Sequence, residues 1–347
     1  GANQALSSLS VTGTSSLGGP ITTTGAQRYA GATTLTGHTT LSGVGVAFGS
    51  TVDGSHNLTV NAGPGAASFA GAIGGTQRLG ALTVHSTGAT SFNGSVRAGS
   101  VSTDAAGTLA LNGGSVDTTG TQTYGERAVL GANTTLTGST VTLSQGADAS
   151  TAGGQSLGIT GNAVLGGATG ANQALASLTV SGTSTLGGDV TTTGAQTYGG
   201  ATTLSADQTL TAGGGIAFGS TLDGAHSLTL NLGANDLRFD HAVGGGTRLG
   251  ALVVNSSGET RLAAPIRAAL VTTDAGGTLV LANAVDTTGA QSYGERAVLA
   301  NDVTLTGGTI TLSQGADAST AGGQSLDITG NAVLGGATGA NQALSSL

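Results

Sequence analysis

The chain has 347 residues, 65 of them Gly, with five Phe, four Tyr and no Trp, Met or Cys. So few large side chains exclude a densely packed globule of this length, and the absence of Cys excludes disulfide staples and thiolate metal sites. Nine Arg and no Lys stand against seventeen Asp and Glu, a net charge of −8 spread thinly along the chain, which excludes the clustered positive charge that nucleic acid or an anionic membrane surface requires.

From the first residues onward, apolar side chains alternate with small polar ones. Leu9 and Val11 set the pattern, and it returns at Leu58 and Val60, Leu82 and Val84, Leu109 and Leu111, Val141 and Leu143, and Leu157 and Ile159. A period of two over short segments bounded by Gly, Asn or Asp predicts half-buried strands. No helical spacing is sustained, and the many Gly, Thr and Val disfavour helices. A disordered Gly/Ser/Thr linker is the alternative. The 7% charged content and mean hydropathy of +0.19 are the reverse of the disordered signature.

A longer period organises the strands. GANQALSSL at 1–9 returns as GANQALASL at 170–178 and as GANQALSSL at 339–347, with the same step both times. The division is therefore 1–169, 170–338 and the start of a third unit at 339–347, within one continuous solenoid. The expectation is a window from a longer periodic chain, with open strand edges at both ends. Within each unit several shorter segments open with Gly and then Gln, as in GANQAL, TGAQRY, GGTQRL, TGTQTY and GGQSL. Roughly seven turns of about 24 residues fit each unit, about fourteen in all, and eight shorter turns fit nearly as well.

The two units do not align with one constant shift. Gln27, Tyr29 and Asp117 recur at Gln196, Tyr198 and Asp286 by the same step that carries Gly1 to Gly170, whereas Phe48 and Asp104 recur one place later, at Phe218 and Asp274. In the second unit one residue is inserted near Ala212 to Gly215 and one is deleted at the place that corresponds to Leu111 to Val116 of the first. A one-residue slip inside a strand reverses every following side chain, so both slips are expected in surface loops. Pro20, Pro64 and Pro265 are expected in turns or at strand ends.

The run Thr23 to Leu35, repeated at Thr192 to Leu204, together with TVTLSQGA at 140–147 and GNAVLGG at 161–167, resembles the repeats of filamentous-haemagglutinin-like exoproteins of Gram-negative bacteria and of related autotransporter adhesins. The resemblance spans the whole chain. It implies a right-handed parallel β-helix exported through an outer-membrane partner, with a role in adhesion, biofilm matrix or a toxin stalk. Secretion partner and extracellular location are implied by this resemblance alone.

The residues singled out are four Gln–Tyr pairs, each with Tyr two places after Gln: Gln27 and Tyr29, Gln122 and Tyr124, Gln196 and Tyr198, Gln291 and Tyr293. The structural reading puts the ring at the edge of the core with its hydroxyl reaching a turn or water, and lets Gln bond backbone or stack on Gln of the next turn. The functional reading is an outward aromatic platform for glycans. Asp53 and His56, repeated at Asp223 and His226, read as an Asp-Gly turn beside an exposed His, since a metal site needs more ligands. Glu126 and Arg127 recur at Glu295 and Arg296. As strand neighbours they point apart and are expected to pair with other turns. Arg78 and Arg97, repeated at Arg248 and Arg267, read as solvated or turn-bonding.

Paired carboxylates across a cleft, a nucleophile elbow, a phosphate loop and calcium nonapeptides are all missing from the pattern. No catalytic residue, cofactor or metal is assigned, and the chain is not read as an enzyme. An ice-binding face would require aligned Thr-x-Thr in successive turns, and the uneven spacing of Thr22, Thr24, Thr140 and Thr142 argues against a continuous array. The sequence therefore reads as an all-β solenoid segment of an extracellular fibre or stalk. Its expected partners are further copies of the same repeat, in the same chain or end to end, and host or matrix glycans.

Overall fold

A computed structural model describes residues 4–347; Gly1, Ala2 and Asn3 of the first GANQALSSL copy lie outside the described residues. The chain divides into two units, one ending at Ala176 and one running from Ser177 to Leu347. The described residues form short strands and no helix. Partners pair in parallel, each strand with one a turn away, as in Leu9–Val11 on Gln27–Tyr29 and that strand on Val46–Phe48. Each unit is a parallel β-solenoid, with about 16 turns in all and roughly 20 residues per turn.

The longer turn estimate is thus corrected, and the shorter alternative is the right one. Turns differ in length. Leu9 pairs with Gln27 across a short one, and Leu58 pairs with Leu82 across a long one. The overestimate arose because the Gly-then-Gln marker does not occupy one position in the fold. Gln27 and Gln122 are buried on strands, whereas Gln77 and Gln155 lie in loops, where Gln155 Oε1 accepts from the backbone N–H groups of Ser150 and Thr151.

In the first unit a turn presents three strand segments. Gln27–Tyr29, Thr33–Leu35 and Thr39–Ser42 make one turn, and Val46–Phe48, Val52–Asp53 and Leu58–Gly63 make the next. Alternation puts every second residue inside. One column on the first face reads Val11, Tyr29, Phe48, Phe69, Phe92, Leu111, Leu130, Ala149. Another, on the third face, runs Ile21, Leu41, Val60, Val84, Thr103. Each fully buried Leu, Val or Phe contributes about 1.5–3 kcal/mol, and within a column each stacks on its counterparts one turn above and below. The core is therefore a set of columns rather than one cluster.

The second unit repeats this by itself. Leu237–Phe239, Glu259–Leu262, Thr278–Leu281, Ala297–Leu299 and Ala316–Ala318 form one five-stranded parallel sheet. Gln208–Ala212, Leu228–Gly233, Leu249–Ser256 and Ile266–Thr273 stack in another.

Both slips fall at corners, as expected. The extra residue of the second unit lies in the turn 213–215, after Gln208–Ala212 and before Ile216–Phe218. The other lies in 112–115 against 282–284, after Thr108–Leu111 and at the very start of the strand Ser115–Thr118 in the first unit. Strand register, and hence which side chains face inward, survives both changes. Pro20 and Pro265 immediately precede strands, and Pro64 sits in the turn that follows Leu58–Gly63.

Candidate functional site

The four Gln–Tyr pairs belong to one nine-residue corner, [Val/Ile]-x-Thr-Thr-Gly-x-Gln-x-Tyr, at 21–29, 116–124, 190–198 and 285–293. A strand leads in, Thr-Gly turns the chain, and Gln and Tyr, two apart on the outgoing strand, point inward together. All four Tyr are 0% exposed and the Gln no more than 1%. Burial of both side chains corresponds to the scaffold reading and leaves no outward aromatic platform at these positions.

The bonding repeats in every copy. Each Tyr hydroxyl donates to the Oε1 of its Gln at 2.9 Å. Each Gln Nε2 donates to the carbonyl six residues back, at 3.2 Å for Ile21, 3.0 Å for Val116, and 3.1 Å for Val190 and Val285. It also donates to a carbonyl of the strand stacked on the corner's leading strand, at 2.9 Å for Ser42 and Thr211 and 2.8 Å for Thr137 and Thr306. The corner Thr completes the set. Thr23 Oγ1 donates to Gly25 O at 2.6 Å, with equivalents at Thr118, Thr192 and Thr287. The Gln amide therefore supplies a buried donor to carbonyls on both sides of the bend, where buried polar groups without partners are costly.

Burial pushes the Tyr29 phenol up to about 12 and those of Tyr124, Tyr198 and Tyr293 higher still. A neutral hydroxyl with a fixed acceptor cannot serve as an acid or base near pH 7; it can only hold. The suggested stacking of Gln on Gln does not occur. Gln27 lies between Leu9 and Val46, and Gln122 between Val101 and Val141.

Other sequence candidates also act between turns. Asp53 Oδ1 accepts from the backbone N–H groups of Thr76 at 2.8 Å and Gln77 at 3.2 Å, and Asp223 does the same for Gly246 and Thr247. His56 lies edge-on to His38 at 5.6 Å. Arg78 donates to the carbonyls of Ala98 and Asp117 and pairs with the Asp117 carboxylate, so one side chain ties three turns; Arg248 does so with Ala268 and Asp286. Arg97 and Arg267 stand 3.7 Å from the same two Asp. Arg127 pairs with Asp148 at 2.5 Å, and Arg296 with Asp317 at the same distance. These Asp also accept from Asn172 and Asn341, the Asn of the second and third GANQAL copies. Burial pulls the Asp148 carboxyl up, but the Arg127 and Asn172 bonds outweigh it and hold it below the usual range; Arg296 holds Asp317 well below.

Three features escaped the sequence. Tyr29, Phe48, Phe69 and Phe92 stack with ring centroids 5.3, 5.1 and 5.3 Å apart, and Tyr198, Phe218 and Phe239 at 5.4 and 5.8 Å. The available signal was that a large ring returns about once per turn, although never at a constant interval. Glu126 and Glu295 are only 1% exposed; a Glu in Gly-Glu-Arg reads as a surface residue. The third is an outer row of Thr40, Thr59, Thr83, Ser102, Thr123 and Thr142 that runs through six successive turns. The Thr spacing is uneven in sequence because corners absorb the length differences, while the strands stay in register. The row is single file and makes no aligned Thr-x-Thr array. Its neighbouring column holds Ser42, Asn61 and His85 instead of Thr. No family model, curated protein or solved structure matches the chain.

Proposed function

We propose that this chain is a structural segment of an extracellular bacterial fibre or stalk of the filamentous-haemagglutinin or autotransporter type, with an adhesive or matrix role, exported through an outer-membrane partner. The observation that carries the reading is where the repeated polar residues go. Gln27 with the Ile21 carbonyl, Gln122 with the Thr137 carbonyl, Arg78 with Asp117, Arg127 with Asp148 and Asp53 with the Thr76 and Gln77 amides all link one turn to another. Residues kept from unit to unit are those that resist separation of turns, which is the work of a spacer held under tension. Its partners on this reading are further copies of the repeat, in the same chain or end to end.

The test is immunolabelling of intact cells of the source bacterium, joined to force spectroscopy on the purified chain. Surface labelling and a stepwise, turn-by-turn extension are expected. Labelling only after lysis, or extension like that of a flexible linker, removes the proposal.

A second reading, a glycan-binding surface, draws on one difference between the units. Ala66, Ser68, Ala70, Gly71, Ala89 and Ser91 correspond to Asp236, Arg238, Asp240, His241, Glu259 and Arg261. A glycan array expects binding that Arg238→Ser and Glu259→Ala weaken; an array without specific binding leaves the scaffold alone.

A further inference from the structure

Two Gln–Tyr corners continue into the same three residues, Gly125-Glu126-Arg127 and Gly294-Glu295-Arg296. At Gly125 the backbone passes so close to the preceding turn that an added Cβ would collide with Asp104 O; at Gly294 it would collide with Asp274 O. The missing side chain lets the next residue, a Glu, turn in against the Asp of the turn before. Thr103 donates to Glu126 Oε2, and Thr273 to Glu295 Oε2. The remaining oxygens, Glu126 Oε1 and Glu295 Oε1, are sealed from solvent without a partner, and so are Asp104 Oδ1 and Asp274 Oδ1. Asp104 Oδ2 is engaged by the Ser86 N–H at 3.0 Å.

No cation among the described residues answers this charge. The adjacent guanidiniums are engaged elsewhere, Arg127 on Asp148 and Arg296 on Asp317. The other titratable group on the same corner, Tyr124 or Tyr293, gives its hydroxyl to Gln. On the following turn, Gln145 Nε2 and Gln314 Nε2 donate to the carbonyls of Ala105 and Gly294, not to the carboxylates. Two carboxylates facing each other out of water cannot both stay ionised, and a single proton between them satisfies both orphaned oxygens.

We propose that Glu126 with Asp104, and Glu295 with Asp274, each hold one proton in the folded chain at neutral pH, as a carboxyl–carboxylate hydrogen bond that clips two turns together and tightens on acidification. Burial pushes both Glu carboxyls up, and the neighbouring Asp adds to the rise. The stabilisation from a group raised in the folded state is complete below its unfolded value of about 4.3. It is lost as pH rises through the folded value. The clips therefore strengthen from neutral to mildly acid pH.

Infrared spectra of the unmodified chain in heavy water at neutral pH test this directly. A protonated-carboxyl stretching band worth two groups per chain is expected. The band should vanish in E126Q/E295Q, whose amides replace the proton as donor. The wild-type thermal midpoint should also fall by about 2–4 °C per clip between mildly acid and mildly alkaline pH, and E126Q/E295Q should lose that dependence. Absence of the band in the unmodified chain overturns the proposal whether or not the variant folds. A midpoint that calcium raises and a chelator lowers in the wild type, but not in E126Q/E295Q, also overturns it, because the pairs would then hold a cation.

Discussion

One nine-residue corner serves two different bends. At 21–29 it carries the chain from the third face of one turn to the first face of the next, and Tyr29 becomes the base of an aromatic stack with Phe48, Phe69 and Phe92. At 116–124 it joins the second face to the third, and Tyr124 lies beneath Leu143. The hydrogen bonds are the same in both places, with Tyr to Gln at 2.9 Å and Gln to carbonyls at both ends of the bend. The corner is thus a portable device that carries its own polar partners. What differs is supplied from outside it. Aromatic neighbours extend the first type, and Gly-Glu-Arg makes the second into a charged clip.

The largest effect that can break this comparison comes from the neighbours. Phe48→Ala removes a ring sandwiched by two others, and a loss of about 3–5 kcal/mol is expected, against about 2–4 kcal/mol for Leu143→Ala above Tyr124. Urea unfolding measures both. Equal losses would show that ring stacking adds nothing beyond area. Next come the corners themselves. Gln27→Leu and Gln122→Leu each take a donor from two carbonyls and the acceptor from a buried Tyr hydroxyl, and a matched loss of about 2–3 kcal/mol is expected from the two. A clear inequality would mean that the device is not portable. The smallest effect separates the four phenols. In an alkaline titration followed by phenolate absorbance, Tyr29 should ionise at about 12, ahead of Tyr124, Tyr198 and Tyr293. Because the folded values are raised, the stabilisation is full below the ordinary phenol value of about 10 and fades as pH climbs through the folded ones. Simultaneous release of all four phenols would mark global unfolding in place of local titration.

Much of this was legible. Alternation at Leu58 and Val60 or Val141 and Leu143 announces strands because burial on one face demands a period of two. The i, i+2 spacing of Gln and Tyr puts them on one side of a strand, and their recurrence marks them as structural. The turn length was less legible. Corners of different size make the turn from Leu9 to Gln27 much shorter than that from Leu58 to Leu82. No fixed period locks on, and Gln77 in a loop looks like Gln27 in the core. The burial of Glu126 was hidden for a different reason. It depends on Gly125 approaching Asp104 on the preceding turn, and nothing local distinguishes Gly-Glu-Arg inside a corner from the same triplet in water. The Asp148 partners were equally remote, since Arg127 and Asn172 reach it from the turns on either side.

The unequal corners at 212–215 and 112–115 also make each unit a scaffold for display. Nature has already run the insertion experiment there, once in each direction, and the columns on either side kept their register. A short epitope, a tag or a reactive peptide grafted at either corner should emerge at a fixed height within its own unit, with neighbouring turns acting as a ruler of strand-to-strand spacing, about 4.8 Å per step.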